Sequence, residues 1–273
     1  MIRKSRGSVR AFKGIYLALV LAFLYLPILV MFGLSFNASV SRAEWTGFTL
    51  DWYAKLFQSQ TIIDALKVTL SVAVIATVAS VIIGTLGAIG MYSMKRGWFN
   101  LLSTVSNIPM TMPDIVTGVS LMLMFVFMKV PLGKGTMIMA HIAFDIPYVL
   151  FSVLPRLQMM NPNIYEAALD LGCKPAQALP KVIIPEIAPG IVTGGLLAFT
   201  MSLDDFVISY FTSNTDQNLA MVVYSAARRG VEPTMYALSA LMFICILALL
   251  LIVNRRSGLE TVSYTHLTLP TTG

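Results

Sequence analysis

Six long apolar runs decide what this chain can fold into before any single residue is considered. They cover roughly Gly14–Phe36, Val68–Tyr92, Leu101–Met128, Met137–Leu157, Ile187–Phe211 and Met235–Val253. A helix needs about 20 residues to cross the hydrocarbon core of a bilayer, and each run approaches or exceeds that. Lipid offers the peptide groups no water, so each run must satisfy its own backbone, which a helix does within one segment. The expected fold is all-α: a polytopic membrane protein with six transmembrane helices. Composition agrees, since 57% of the 273 residues are hydrophobic and only 12% are charged. An ordinary soluble domain carries about 25% charged residues.

Charge orients the runs. Arg3, Lys4, Arg6, Arg10 and Lys13 precede the first one, which makes residues 1–13 a basic cytoplasmic segment. Lys95, Arg96, Arg156, Lys174, Lys181, Arg255 and Arg256 then fall on the same side. Arg42, Lys55, Lys67, Lys129, Lys134, Arg228 and Arg229 fall on the other. The bias puts both termini, and the connection between the fourth and fifth runs, in the cytoplasm. It also accounts for the net charge of +6 without nucleic acid, because the basic residues cluster at run ends. A basic cluster before an apolar run also describes a signal peptide. This run is longer than the usual signal core and five more follow it, so it reads as a retained anchor.

The two cysteines, Cys173 and Cys245, form no CxxC and no Cys/His cluster, so neither a disulfide framework nor a metal site is expected. Residues 262–271 read as a translated sequencing-library adapter. The 257–273 tail, His266 included, is set aside, leaving 14–256 as the membrane domain.

Between the fourth and fifth runs lies a polar segment, about 158–186, that crossing a membrane does not require. Its local chemistry describes two short helices. Asn161 can cap the first, and Pro162 suits its opening position, where a missing N–H costs nothing. Glu166 lies near the favourable positive end, and Ala167 and Ala168 leave a low-profile face. Gly172 can take the left-handed conformation that ends a helix. Pro175 can start the second helix, Pro180 shortens or kinks it, and Pro185 marks the turn into the fifth run. The plainer reading is an interfacial helix-turn-helix that merely lies on the membrane.

Asp114, Asp145, Asp204 and Asp205 fall within the apolar runs, where the basic residues are limited to Arg156 near one end. Acids at membrane depth are costly and face a bundle interior, a cavity or a cation. On straight helices Asp114 would lie about 20 Å and Asp204 about 26 Å from the inner ends of their runs, and Asp145 about 12 Å from its outer end. That gathers the four in the outer half and suits a cationic cargo. Blander roles compete. Asp114 follows Pro113 and can cap a restarted half-helix. Adjacent Asp204 and Asp205 cannot face the same way, so one of them can be structural. His141 and Asp145, four apart, can pair on one face, a role read here as structural. Trp45, Trp52 and Tyr53 suit interfacial anchoring or, less directly, an aromatic face for an ammonium group.

Glu166-Ala167-Ala168, then Gly172, then Ile184-Pro185 resembles the EAA loop of ABC-importer permeases. Asn107–Val116, Ser202–Val207 and Trp45–Tyr53 resemble the PotC-type, spermidine/putrescine branch of that family, and the resemblance spans nearly the whole natural chain. It implies the type I importer permease fold in a bacterial cytoplasmic (inner) membrane. It also implies an ATPase-docking surface at Glu166, Ala167, Ala168, Gly172 and Pro185, and a substrate pathway that includes Asp114, Asp204, Asp205 and Trp45. The implied partners are an ABC ATPase dimer, a second homologous permease, an extracytoplasmic polyamine-binding protein and the polyamine itself. The chain has no GxxxxGK[ST] segment, and Gly133-Lys134-Gly135-Thr136 lacks the spacing that cradles phosphate. ATP and Mg are therefore expected on the partner, with no cofactor and no catalytic residue in this chain. Permeases for iron or thiamine share parts of these motifs. An ion-coupled secondary transporter would use buried acids and a Pro-broken third run, but it leaves the EAA segment unexplained and no internal repeat supports it.

Overall fold

A computed structural model describes residues 5–261 apart from 42, 162 and 231. The expectations for Arg3, Lys4, Arg42, Pro162 and the 262–271 segment with His266 lie outside the described residues. Among those described, the α-helices are α1 (Ser5–Leu34), α2 (Asp51–Gln58), α3 (Gln60–Tyr92), α4 (Arg96–Thr111), α5 (Asp114–Phe127), α6 (Lys134–Met159), α7 (Asn163–Asp170), α8 (Pro175–Ala178), α9 (Ile184–Asp204), α10 (Val207–Thr212), α11 (Leu219–Arg229) and α12 (Pro233–Thr261). A π-helical turn, Leu179–Ile183, joins α8 to α9. The chain divides into two compact units, residues 1–59 with 226–273, and residues 60–225.

In the first unit α1 exposes large apolar side chains all round, Phe12, Phe23, Leu24 and Leu29 among them. An all-apolar exposed helix is suited to lipid rather than water. The segment after it folds around Asn37, which is 2% exposed. Its Nδ2 donates to the Glu44 carbonyl at 2.8 Å, and its Oδ1 accepts from the Ser39 and Thr46 backbones at 3.2 Å. Trp52 Nε1 donates to the Asn37 carbonyl at 2.7 Å, and Tyr53 Oη lies 2.8 Å from Ser35 Oγ. Trp52 and Tyr53 thus hold this segment together. Lys55 already lies over the Trp52 ring, 4.4 Å from its centroid.

The second unit is built on α3, α6 and α9. Membrane helices gain little from hydrophobic contact with one another, so close approach through small residues matters most. On α3 the buried positions include Ala73, Ala76, Ser80, Gly84 and Ala88. On α9, Gly190 and Gly194 form a GxxxG pair. A Cβ at Gly84 would lie 2.8 Å from Val149 Cβ, and one at Gly194 would lie 2.8 Å from Val149 Cα. Val149, Leu150, Val153, Leu154 and Leu157 of α6 fill the core between Ala88, Ile187 and Ala198.

Three expectations about the spans are corrected. The third run is not one straight helix, because α4 and α5 meet at 106°. Met112 and Pro113 are extended, with ψ 147° and 137°. Proline supplies no N–H and steers its predecessor out of the helical region. The depth of Asp114 estimated on a straight rise therefore does not hold. The fifth run does not continue through Phe211: α9 stops at Asp204, Asp205 is extended with ψ 125°, and α10 starts at Val207. Finally, no turn occurs at Pro185. Residues Ala176–Asp204 form one continuous helical stretch, because the π turn absorbs Pro180 and lets the Ile184 N–H reach the Leu179 carbonyl.

Each of the six apolar runs is helical over most of its length. Among the described residues four unbroken helices are long and apolar enough to cross a membrane, five if the bent pair is one span, and the described apolar part of α12 is Pro233–Ala248. The α12 backbone stays helical to Thr261, beyond the expected end at Val253.

Candidate functional site

The polar segment folds as its residues dictate. The Asn161 side chain accepts from the Asn163 N–H at 3.0 Å at the start of α7. At the far end the Cys173 N–H donates to the Ala168 carbonyl at 3.0 Å, and the Gly172 N–H donates to Leu169 at 2.9 Å. This 6→1 and 5→2 pair is the Schellman arrangement, which needs a left-handed residue. Gly172 supplies it with φ 83°. No α7 residue is buried, and Glu166 and Ala167 are exposed. Pro185 is exposed on the first turn of α9. Leu171, 89% exposed at the turn, is the feature that sequence reasoning missed. An apolar side chain beside a helix-ending glycine was the available signal.

The acids of the second unit separate into two kinds. Asp145 is fully buried, and its Oδ2 accepts from Ser202 Oγ at 2.7 Å. Since the Ser202 hydrogen goes to Asp145, Ser202 accepts from His141 Nδ1, 2.8 Å away. His141 Nε2 lies 2.9 Å from Ser209 Oγ and 3.4 Å from Asp205 Oδ2. His141 and Asp145 therefore meet through Ser202 rather than directly. Asp205 also caps α10, accepting from the Ile208 and Ser209 backbones at 3.2 and 2.7 Å. Asn218 donates to the Asp205 carbonyl and to Ser209 Oγ. This network ties α6, α9 and α10 together. Ser202, Ser209 and Asn218 carried no sequence signal for it, because serine and asparagine acquire such roles only from their neighbours.

Asp114 and Asp204 are different. Both are exposed, and among the described residues neither carboxylate is ion-paired. Asp114 opens α5 without capping it through its side chain. Their helices are brought together: a Cβ at Gly118, one turn along α5, would lie 3.4 Å from Ile208 Cα of α10. Each free acid thus stands at a helix break, with Asp205 committed to protein partners beside Asp204. Trp45 is 61% exposed and belongs to the first unit.

The Gly133–Thr136 segment serves as a helix start. The Lys134 N–H there donates to the Asp216 carboxylate at 2.9 Å, and Thr136 Oγ1 donates to the Thr212 carbonyl at 2.7 Å. An acid on that backbone is the opposite of a phosphate cradle.

Residues 80–256 match the model of the binding-protein-dependent transport system inner membrane component family. The chain belongs to this family. The permease is 35% identical over 241 residues to the spermidine/putrescine transport system permease protein PotC of Haemophilus influenzae, covering 88% of this chain and 94% of that protein. It is 36% identical over 239 residues to the putrescine transport system permease protein PotI of Escherichia coli K12, covering 83% and 84%. Among solved structures, it superimposes with a TM-score of 0.68 on a chain of a bacterial alginate ABC transporter in complex with an alginate pentasaccharide-bound periplasmic protein. That match has 17% identity and covers 96% of this chain and 97% of the other. A histidine-bound amino acid ABC transporter gives a TM-score of 0.57 at 21% identity, covering 77% and 100%. At these identities the solved structures show the fold alone, the ABC-importer permease fold.

The network makes a direct prediction. His141→Ala takes one buried partner each from Ser202 and Ser209 and opens space beside the shielded Asp205 carboxylate, and a buried polar group that loses its partner costs about 1–3 kcal/mol. Asp145→Asn keeps an acceptor for Ser202 and is expected to cost about 1 kcal/mol. Thermal melting of the purified permease, with uptake measured alongside, should rank His141→Ala as far the more damaging. The reverse order would show that the Asp145 charge holds the network.

Proposed function

We propose that this permease is the membrane-spanning subunit of an ATP-driven polyamine importer and carries spermidine or putrescine. The observation that carries the reading is the pair of exposed, unpaired carboxylates, Asp114 and Asp204, at breaks in two helices whose continuations pack together. A cation leaving water needs compensating charge along its path, and two separated acids match a cargo with separated ammonium groups. The fold alone does not choose cargo, because a relative with the same fold is involved in importing an acidic polysaccharide. The names of the PotC and PotI relatives support the polyamine.

The α7 to π-turn segment is the docking element. Glu166, Ala167 and Ala168 present its polar and low-profile face, and Leu171 supplies an apolar anchor that water leaves uncovered. Partners are an ABC ATPase dimer binding ATP and Mg, a second homologous permease and an extracytoplasmic binding protein, with both termini of this chain in the cytoplasm. Closure of the ATPases draws the docking elements together and opens the path outward. The binding protein delivers the polyamine, and hydrolysis resets the path inward. The continuous Ala176–Asp204 helical stretch supplies a rigid link from the docking segment to Asp204.

Docking is tested with Glu166→Lys and Gly172→Val. Open space surrounds Gly172, so valine meets no clash and only the left-handed backbone resists it. That cost is about 1–2 kcal/mol and falls on the turn. Both variants are expected to insert at normal levels and to retain about a tenth or less of ATPase co-purification and uptake. Normal co-purification and uptake in both would remove the docking assignment.

A further inference from the structure

Tyr148 stands one turn beyond Asp145 on α6, and its ring pairs with that of Phe144, the centroids 5.3 Å apart. The ring packs against the cluster formed by Phe125 of α5, Ala140 and Phe144 of α6, and Ile208 of α10. It is half-buried, and its hydroxyl has no hydrogen-bond partner among the described residues. Residues 128–133 return the chain from α5 to α6, so these two helices run antiparallel. At the helical rise, Asp114 and Tyr148 each lie about 20 Å from that connection along their own helices. They share a level, and the Asp114 and Asp145 carboxylates both lie within electrostatic reach of the Tyr148 phenol. Asp114 is exposed and unpaired. Asp145 is fully buried, and its Oδ1 has no hydrogen-bond partner. Acceptor oxygens therefore outnumber donors here. The basic groups of α6 lie elsewhere: Lys134 opens the helix, His141 faces Ser202, Ser209 and Asp205, and Arg156 is in the last turn.

We infer that Asp114 and Tyr148 together bind one primary ammonium end of the cargo, the carboxylate and the phenol oxygen each accepting one N–H. A primary ammonium carries three donors, so it can meet both oxygens at once. A tertiary ammonium carries one, which the carboxylate takes in the stronger, charge-assisted bond. The carboxylate alone would accept any cation. The added phenol oxygen makes the subsite prefer a primary ammonium, and Asp204 is left for the other end of the cargo. This subsite rests on the importer reading above and adds to it the end-group chemistry that the permease itself recognises.

The test is equilibrium binding of labelled putrescine and N,N,N′,N′-tetramethylputrescine to the purified transporter without its binding protein. Only the membrane path is then read. The wild type should bind putrescine about tenfold more tightly than the tetramethyl diamine. Tyr148→Phe keeps the ring packed on Phe144 and removes only the free hydroxyl, so its melting midpoint should match the wild type. It should weaken putrescine binding about tenfold and leave the tetramethyl diamine within about twofold. Asp114→Asn should weaken both. An equal effect of Tyr148→Phe on the two diamines, or none on putrescine, overturns the subsite. So does a wild type that binds the two equally or binds neither. Failure of the importer reading would show separately, as absent polyamine uptake by cells carrying the wild-type transporter.

Discussion

Replacing Asp114 and Asp204 together with Asn is expected to lower polyamine uptake about a hundredfold while insertion and ATPase binding persist. Asn keeps size and much of the hydrogen bonding but removes the charge that compensates a desolvated ammonium. A hydrogen bond to a charged group contributes about 1.5–3 kcal/mol, so each single change should cost about tenfold or somewhat more. The two sites act on separate parts of the cargo, and their effects should approximately add in free energy. Neither carboxylate supports the fold, since both are exposed and unpaired. Asp205→Asn is the informative contrast. That side chain caps α10 and faces His141, so its replacement should reduce the amount of folded permease. Labelled-polyamine uptake, normalised to membrane-inserted protein, measures all three. Full uptake by the double variant would leave the acids without a transport role and the cargo supported by relatives alone.

Gly194→Val should strongly destabilise the membrane core. Its Cβ would stand 2.8 Å from Val149 Cα and 3.1 Å from Ser152 Cβ, so it meets α6 backbone that no side-chain rotation can clear. Over-packing of this kind costs about 1–3 kcal/mol or more, and it also separates helices whose association depends on close approach. The melting midpoint of the purified permease should fall by roughly 5–10 °C. Gly90→Ala is the matched control. Nothing lies within 4 Å of its Cβ position on α3, and alanine favours a helix interior by about 1 kcal/mol over glycine. Its midpoint should stay level or rise. A Gly194→Val midpoint equal to wild type would show that α6 and α9 do not pack this closely.

The contrast between those two glycines separates what a sequence can and cannot decide. Taken alone, the sequence determined the membrane class, because hydropathy sums residue by residue and lipid leaves the backbone one option within a segment. It also determined the local fold of the polar 158–186 segment in detail. Asn161 as a cap, the left-handed Gly172 and the irregularity at Pro180 are each set by interactions within a few residues. The expected turn at Pro185 failed for the same local reason seen from the other side: the π turn had already accommodated the prolines. Pro113 announced a break in the third run, but its 106° angle came only with packing. Tertiary structure alone decided the partners of the acids. Asp145 and Asp205 acquired hydrogen-bonding partners because α6, α9 and α10 bring Ser202 to Asp145 and His141 to Asp205 across dozens of residues. Asp114 and Asp204 remained free because their helices break where no partner arrives, and partnership between distant side chains is a property of helix packing that no local pattern encodes.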